Sequence, residues 1–250
     1  MRLIMKKTLL ILTCICSLSA TALAYNPADV SRLLNTRSCP NGDLSGAQLG
    51  DEDLTDADLA GADLSYANLS GAVLENANLQ NANLIKANLK SAYLAGANLS
   101  SGDLSNANFS HATLNRASLT GAKAFRTGFS HALLTFANFY TADAREANFD
   151  YANCSMTNFV AANMAQAWFF NTNLRDANLT SVNLYNAKMR QANLEGATLR
   201  DANLTYTNLR DANLTKAELT DATMDNADLL YANLEDAKFS VQALKTARVK

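Results

Sequence analysis

The chain is poor in the residues that build most reactive centres. It has two histidines, four cysteines and one tryptophan in 250 residues. It has no glycine-rich phosphate loop, no Cys/His spacing of a zinc site and no separable Ser–His–Asp set. Ser, Asp and Asn are abundant because a repeat demands them, so chance triads carry no meaning, and the many Asn-Leu-Ser/Thr runs follow from the same repeat rather than from glycosylation. No catalytic residue, metal ligand set or cofactor is therefore expected. The apolar run from Thr8 to Leu18 is too short to cross a bilayer.

That run has the form of a secretory signal. Arg2, Lys6 and Lys7 precede it, and Ala22-Leu23-Ala24 supplies a small-x-small cleavage site. Cys14 follows Thr13 and Cys16 follows Ile15, which does not suit lipidation. The expectation is a signal peptide over 1–24, no membrane span after its removal, and export to a periplasm, to a thylakoid lumen in a cyanobacterium, or to the medium. Residues 1–24 hold three of the 21 basic residues and no acid, so the remainder carries 18 basic against 23 acidic residues, a net of −5. Mild, dispersed acidity argues against nucleic-acid contact. Two cysteines remain, Cys39 and Cys154.

What the chain has in excess is one five-residue unit, running from Gly42 to Phe239 without insertion or deletion. Its central residue falls at every fifth position from Leu44 to Phe239. That makes 40 units, with Leu at the centre of 27 and Phe, Met, Ala or Cys in the others. Ala stands two residues before the centre in 32, and Asn or Asp one before it in 26. A period of five is neither helix nor strand. Ala and the centre lie two apart, the spacing of one strand face. Each unit is then a short extended piece with both residues inward and the rest outward or at a corner. Such pieces stack as a solenoid.

The coil length is also legible. Phe109, Phe129, Phe149 and Phe169 are centres spaced by 20, as are Phe139 and Phe159, and the small centres Ala124 and Ala144. Four units per coil place each set in a vertical column, small beside large, as close packing requires. Forty units give about ten coils, a rod of ~48 Å at ~4.8 Å per coil. On that spacing Cys39 and Cys154 lie ~26 Å apart, beyond disulfide reach.

The A-(N/D)-L-x-x pattern resembles the pentapeptide-repeat family over about four-fifths of the chain. The resemblance implies an all-β fold, a right-handed quadrilateral β-helix, and almost nothing about activity. The domain organisation expected is a signal over 1–24, a capping helix and lead-in over 25–41, the β-helix over 42–239, and a cap or tail over 240–250. Asn26 is a good N-cap and Pro27 a good first helical residue, so Pro27 to Leu34 should plug the lower end. Ser240, Val241 and Leu244 suggest a closing helix. The segment from Asn26 to Leu34, followed by Cys39-Pro-Asn-Gly-Asp-Leu, resembles secreted members from cyanobacteria and other bacteria. Many of those have a second Cys where this chain has Gly42.

Departures from the repeat concentrate in coils five to seven, at roughly 121–171. Lys123, Gly128, Leu133 and Trp168 replace the usual Asn or Asp. Phe136 should stack under Met156 and Tyr140 under Val160, with Trp168 and Phe170 flanking inward Phe169 and Tyr151 one coil below. A contiguous apolar patch marks a contact site, so Phe136, Tyr140, Tyr151, Met156, Val160, Trp168 and Phe170 form a candidate surface for an unidentified protein partner or for self-association. The bland alternative is a distorted coil that buries Phe125 and Trp168. His111 and His131 should be stacked neighbours, with no carboxylate or thiol to complete a metal site. In the last coils, Arg175-Asp176, Arg200-Asp201 and Arg210-Asp211 are candidate charge pairs, and Arg190 stacks on Arg210. The sequence favours an exported, non-enzymatic structural or interaction scaffold. The other reading is the DNA mimicry by which quinolone-resistance members of the family protect topoisomerases. Those members act in the cytoplasm, often with projecting loops, which this chain lacks.

Overall fold

Every polar backbone group of a short extended unit needs a partner outside that unit, because five residues cannot pair with themselves. The computed structural model, which describes residues 25–240 and 244–249, shows where these groups go. Each unit contributes one bridging residue, the one just before the centre. It pairs in parallel with the residue 20 positions later, from Ser38↔Asp58 to Asp228↔Arg248. One coil is therefore four units. The two residues after each centre make the corner, closed by a hydrogen bond from the amide three residues beyond the centre to the centre's carbonyl, as in Ala67 N–H to Leu64 O at 3.0 Å. The bridging and central amides bond to the coils on either side: Asp63 N–H to Gly42 O at 2.9 Å, and Leu64 N–H to Asn83 O at 2.7 Å.

The four faces are numbered by their first centres: face 1 Leu44, face 2 Leu49, face 3 Leu54, face 4 Leu59. Coil 1 spans 42–61, and each later coil adds 20. The second corner residue sits in the left-handed region at almost every corner, for example Tyr66 at φ 58° and Phe136 at φ 61°. L-residues adopt this at a cost, so the repeat must stabilise its corners, and the Asn/Asp position does so. Asp63 Oδ1 accepts the Ser65 N–H at 2.9 Å and, one coil up, the Asn83 amide at 3.0 Å. Asn158 Oδ1 accepts the Val160 N–H at 3.1 Å while its own amide donates to Asn138 Oδ1 at 2.9 Å. One side chain fixes its corner and ties two coils together.

The interior is a solid column of the centre and the small residue two before it, nearly all fully buried. The phenylalanines occupy opposite faces. On face 2, Phe109, Phe129, Phe149 and Phe169 stack at 5.0–5.3 Å. On face 4, Phe139 and Phe159 stack at 5.1 Å. Across the tube the two columns meet edge to face, as Phe149 does with Phe159 at 5.9 Å and 87°. Faces 1 and 3 of that same coil carry Ala144 and Cys154, so two large rings are matched by two small residues. Cys154 is thus a packing residue, and burial pushes its thiol well above the ordinary range. Four buried threonines replace the inward Ala, and each donates its hydroxyl to a carbonyl 23 residues earlier, such as Thr157 to Leu134 O at 2.8 Å.

The lower end is closed by α1, Pro27–Thr36. Asn26 caps it by accepting the Ala28 N–H at 3.0 Å, and Val30 and Leu33 plug the first coil. Asp29 binds the Asp43 N–H at 3.0 Å, fixing the helix to the first bridge. Cys39 is fully buried beneath α1, with Arg32 Nη2 3.1 Å from its sulfur. A Cβ at Gly42 would collide with that sulfur. At the upper end Leu244 is helical and Arg248 bridges Asp228, so the tail returns to lie over face 2 of coil ten. Residues 241–243, on which the closing helix was expected, and the signal expected over 1–24 lie outside the described residues.

Two expectations need correcting. The coil is not distorted around Trp168, because the bridges Asn148↔Trp168 and Trp168↔Lys188 keep the 20-residue register. The charge pairs also do not follow sequence adjacency. Arg200 reaches Glu218 at 2.8 Å rather than Asp201, and Arg210 reaches Asp228 at 3.4 Å. Asp211 takes Arg190 at 3.1 Å, the contact that offsets the Arg190–Arg210 stack. Of these pairs only Arg175 keeps its neighbour, with Asp176 at 3.4 Å, while also reaching Glu195 at 3.5 Å.

Candidate interaction surface

Where the Asn/Asp position is lost, the corner amide two residues on needs another partner. At two such places the coil below supplies it. Thr135 N–H, two after Leu133, bonds to Asn115 Oδ1 at 3.1 Å. Phe170 N–H, two after Trp168, bonds to Asp150 Oδ1 at 2.7 Å. The bridging position is thereby released from its structural duty, and both units present a large apolar side chain to solvent. Leu133 is 44% exposed and Trp168 44%.

The seven expected surface residues do not form one patch. Trp168 is the bridging residue of face 2, and Phe170 and Tyr151 are on the corner between faces 2 and 3. Phe136 and Met156 are on the corner between faces 3 and 4. Tyr140 and Val160 lie on the next corner, between faces 4 and 1. A spacing of four residues, as from Phe136 to Tyr140, turns a side chain onto a different edge, so closeness in sequence misleads here. Tyr140 and half-buried Val160 are thus separated from the others by a face whose bridging residues are Asn138 and Asn158.

The structure instead groups side chains along face 3 of coils four to six. One edge carries the column His111, His131 and Tyr151, whose rings stack at 4.8 and 4.9 Å within 3° of parallel. Phe170 closes that column edge-on to Tyr151 at 5.3 Å. The other edge carries Arg116, Phe136 and Met156, with the Arg116 guanidinium 5.9 Å from the Phe136 ring centroid. Leu133 stands between the two edges, and Tyr93, 49% exposed, lies on the same face lower down. Sequence reasoning placed Leu133 among the repeat violations but not in the surface. Its signal was there: an apolar residue at the one outward position that the fold normally requires to be Asn or Asp.

Trp168 is covered on one side, with Lys188 Nζ 3.9 Å from its ring centroid, a close cation–π contact. Beside it Asp150 is half-buried, and desolvation raises its carboxyl above the ordinary range, partly offset by the Phe170 N–H, Lys188 and His131. A folded value raised above the unfolded one means that stability falls as pH rises through it. Asp150→Asn keeps the oxygen that accepts the Phe170 N–H and removes the charge. It should stabilise the rod by a few tenths of a kcal/mol at neutral pH, and the advantage should vanish below the ordinary carboxylate range; paired thermal melts at the two pH values check this. The opposite case is Asp143, held low by the Arg145 side chain at 2.7 Å. Among the described residues no group of three His, Cys, Asp or Glu side chains is placed to hold a metal ion, and no helix is long and apolar enough to cross a membrane.

Comparison with known proteins bears on the repeat rather than on the face. A family model described as pentapeptide repeats matches in segments from residue 53 to 240. No curated protein matches the sequence. Similar solved structures include HetL, a pentapeptide repeat protein involved in heterocyst differentiation regulation from the cyanobacterium Nostoc sp. strain PCC 7120. It is 29% identical, with a TM-score of 0.36 over 90% of this chain and 95% of that one. A pentapeptide repeat protein from the Arabidopsis thaliana thylakoid lumen is 27% identical over 38% of this chain and 69% of its own, with a TM-score of 0.32. QnrB1, a plasmid-mediated fluoroquinolone resistance protein, is 18% identical over 82% and 89%, with a TM-score of 0.43.

Proposed function

This chain belongs to the pentapeptide-repeat family, and on that premise we propose that it is an exported, non-catalytic scaffold whose face 3, in coils four to six, binds protein. Family membership implies a right-handed β-helix, and members are generally structural or interaction scaffolds. The observation that carries the reading is the break in the Asn/Asp position at Leu133. Elsewhere that position locks corners; here the lock is supplied from Asn115 below, and the freed position holds an exposed Leu between Phe136 and the His131–Tyr151 column. A large apolar residue with no structural duty, set on a flat face among aromatic rings and beside an Arg, has the composition of an interface core.

Export rests on the basic, apolar and small-x-small segments of residues 1–24. The destination is a periplasm, a lumen or the medium. Fusing residues 1–30 to a reporter tests it directly: retention of the reporter in the cytoplasm would remove the exported part of the proposal. For the surface, a photo-crosslinking residue at Leu133 should capture protein in the exported fraction, and Phe136→Ser should abolish the capture while Trp168→Ser leaves it intact. If neither change alters any association, including self-association, face 3 is not the contact. The topoisomerase reading has no structural feature of this chain in its favour, and the purified protein should leave gyrase supercoiling unprotected against a quinolone.

A further inference from the structure

Along face 3 the lower and upper halves of the rod differ in size and charge in a matched way. On the edge between faces 2 and 3, Gly71 and Ser91 occupy the corner position that His111 and His131 hold higher up. On the edge between faces 3 and 4, Gly96 lies one coil below Arg116. The lower half carries Asp51, Glu52, Asp53, Asp56 and Glu75 against one base, Lys90, with Asp53 already paired to Arg37. The upper half, through Tyr151 and Met156, carries Arg116 and two histidines, and its one acid is half-buried Asp150. Among the described residues neither Arg116 nor Glu75 has an ionic partner of its own; Arg116 lies against the Phe136 ring.

We infer that the occupant of face 3 is a second copy of this chain, packed antiparallel about a twofold axis that lies in the face, perpendicular to the rod, between the levels of Tyr93 and Thr113. This deepens the scaffold reading and rests on it. The axis returns each edge onto the same edge of the partner with the coil order reversed. His131 then meets the partner's Gly71, His111 its Ser91, Arg116 its Gly96 and Leu133 its Val73. Each of these large side chains meets a small or apolar one, while Phe136, Tyr151 and Met156 meet the partner's polar Asn76, Asp51 and Asp56 towards the ends of the strip. Arg116 comes one coil, ~4.8 Å, from the level of the partner's Glu75 on the same edge, twice over by symmetry. The acidic lower half of each rod lies against the upper half of the other, where Arg116 and half-buried Asp150 balance, rather than against a second acidic half, which favours the antiparallel sense. No insertion interrupts the bridges between these coils, so the face is free of loops that would hold two rods apart. The strip is six coils long, ~29 Å, and one face wide. That places it among small, transient interfaces, with dissociation on the order of tens of micromolar.

Sedimentation equilibrium of the full purified chain from about 5 to about 300 µM, a range that brackets this affinity, tests it. The expected result is a monomer–dimer equilibrium that weakens with salt. Arg116→Glu and Glu75→Arg should each weaken it about tenfold, and the double reversal should bring it back to within about threefold of the parent. Both residues are exposed and two coils, ~9.6 Å, apart on one edge of a single chain, so the rescue is read as dimer affinity rather than as stability, and circular dichroism confirms that each variant folds. A chain that stays monomeric at the highest concentration, or a dimer indifferent to all three variants, overturns the inference. Crosslinking at Leu133 separates the two levels of claim. A monomeric chain whose Leu133 captures a different exported protein retains the scaffold reading and loses the second copy. A monomeric chain that captures nothing loses both.

Discussion

Phe149→Ala should cost about 3–5 kcal/mol, the largest effect of any single truncation in the rod. Phe149 touches four other rings: Phe129 and Phe169 above and below at 5.0 Å, and Phe139 and Phe159 across the tube at 5.8 and 5.9 Å. The other two walls of its coil are Ala144 and Cys154, both fully buried and too short to fill the space. The backbone cannot collapse into the cavity, because the bridges on each side hold the coil at its spacing. Ala144→Leu, in the same coil, should cost about 1–3 kcal/mol by overpacking. Volume compensation predicts more than either number. Phe149→Leu combined with Ala144→Val should cost less than the sum of the two single changes, because one removes what the other adds. Simple additivity would refute the account of the small centres. A solenoid is stabilised by nearest neighbours, so the loss should be local. Hydrogen exchange should quicken in coils five to seven and stay unchanged in the coils beside α1, whereas a uniform acceleration would mean that the rod unfolds as one unit.

That coil was the most legible part of the sequence. The 20-residue spacing of the Phe and Ala centres is enough on its own to define four units per coil, and the bridges of the folded rod follow it. The helix at Pro27 was legible for a local reason, since Asn26 and Pro27 are cap and first residue whatever the rest does. The Asn/Asp position was legible as a pattern but not as a mechanism. Its frequency shows a requirement, while the two bonds that create the requirement join residues 2 and 20 apart and emerge only when coils are stacked. The surface was read least well. Phe136 and Tyr140 are close in the chain and on different edges, whereas Leu133 and Tyr151 are further apart and share face 3. An outward side chain belongs to a column, set by its place in the coil, and to a height, set by its coil, and neither is a distance along the chain.

The requirement at the bridging position can be tested by changing one atom. Asn183 Oδ1 accepts the Tyr185 N–H at 3.1 Å and the Asn203 amide at 3.2 Å, while its own amide donates to Asn163 Oδ1 at 3.0 Å. Asn183→Asp keeps both acceptor bonds and replaces the donor with an oxygen facing another oxygen. At neutral pH this should cost about 1–2 kcal/mol, a lost hydrogen bond together with a repulsive contact in a partly desolvated column. The introduced carboxylate is disfavoured in the fold, so its folded pKa rises above its unfolded value. Stability relative to the parent should therefore fall as pH rises through that interval and recover below the ordinary carboxylate range, where the protonated group again donates to Asn163. Asn183→Ala removes the donor and the acceptor together and should show a loss of similar size with no such pH dependence. If Asn183→Asp instead keeps the parent's stability at every pH while Asn183→Ala loses it, the amide donor is dispensable. The family's preference at this position would then rest on the Asx corner alone, and Asp would serve there as well as Asn. The lower coils bear on this point directly. Asp58, above Ser38, and Asp63, above Asp43, each accept from the Asn one coil up at 3.1 and 3.0 Å. A carboxylate also stands directly above an Asn, as Asp103 does on Asn83 and Asp228 on Asn208. Where Asn follows Asn the upper amide donates downward, as Asn183 does to Asn163, whereas an Asp above an Asn keeps only its corner bond, as Asp103 does with the Ser105 N–H at 3.1 Å.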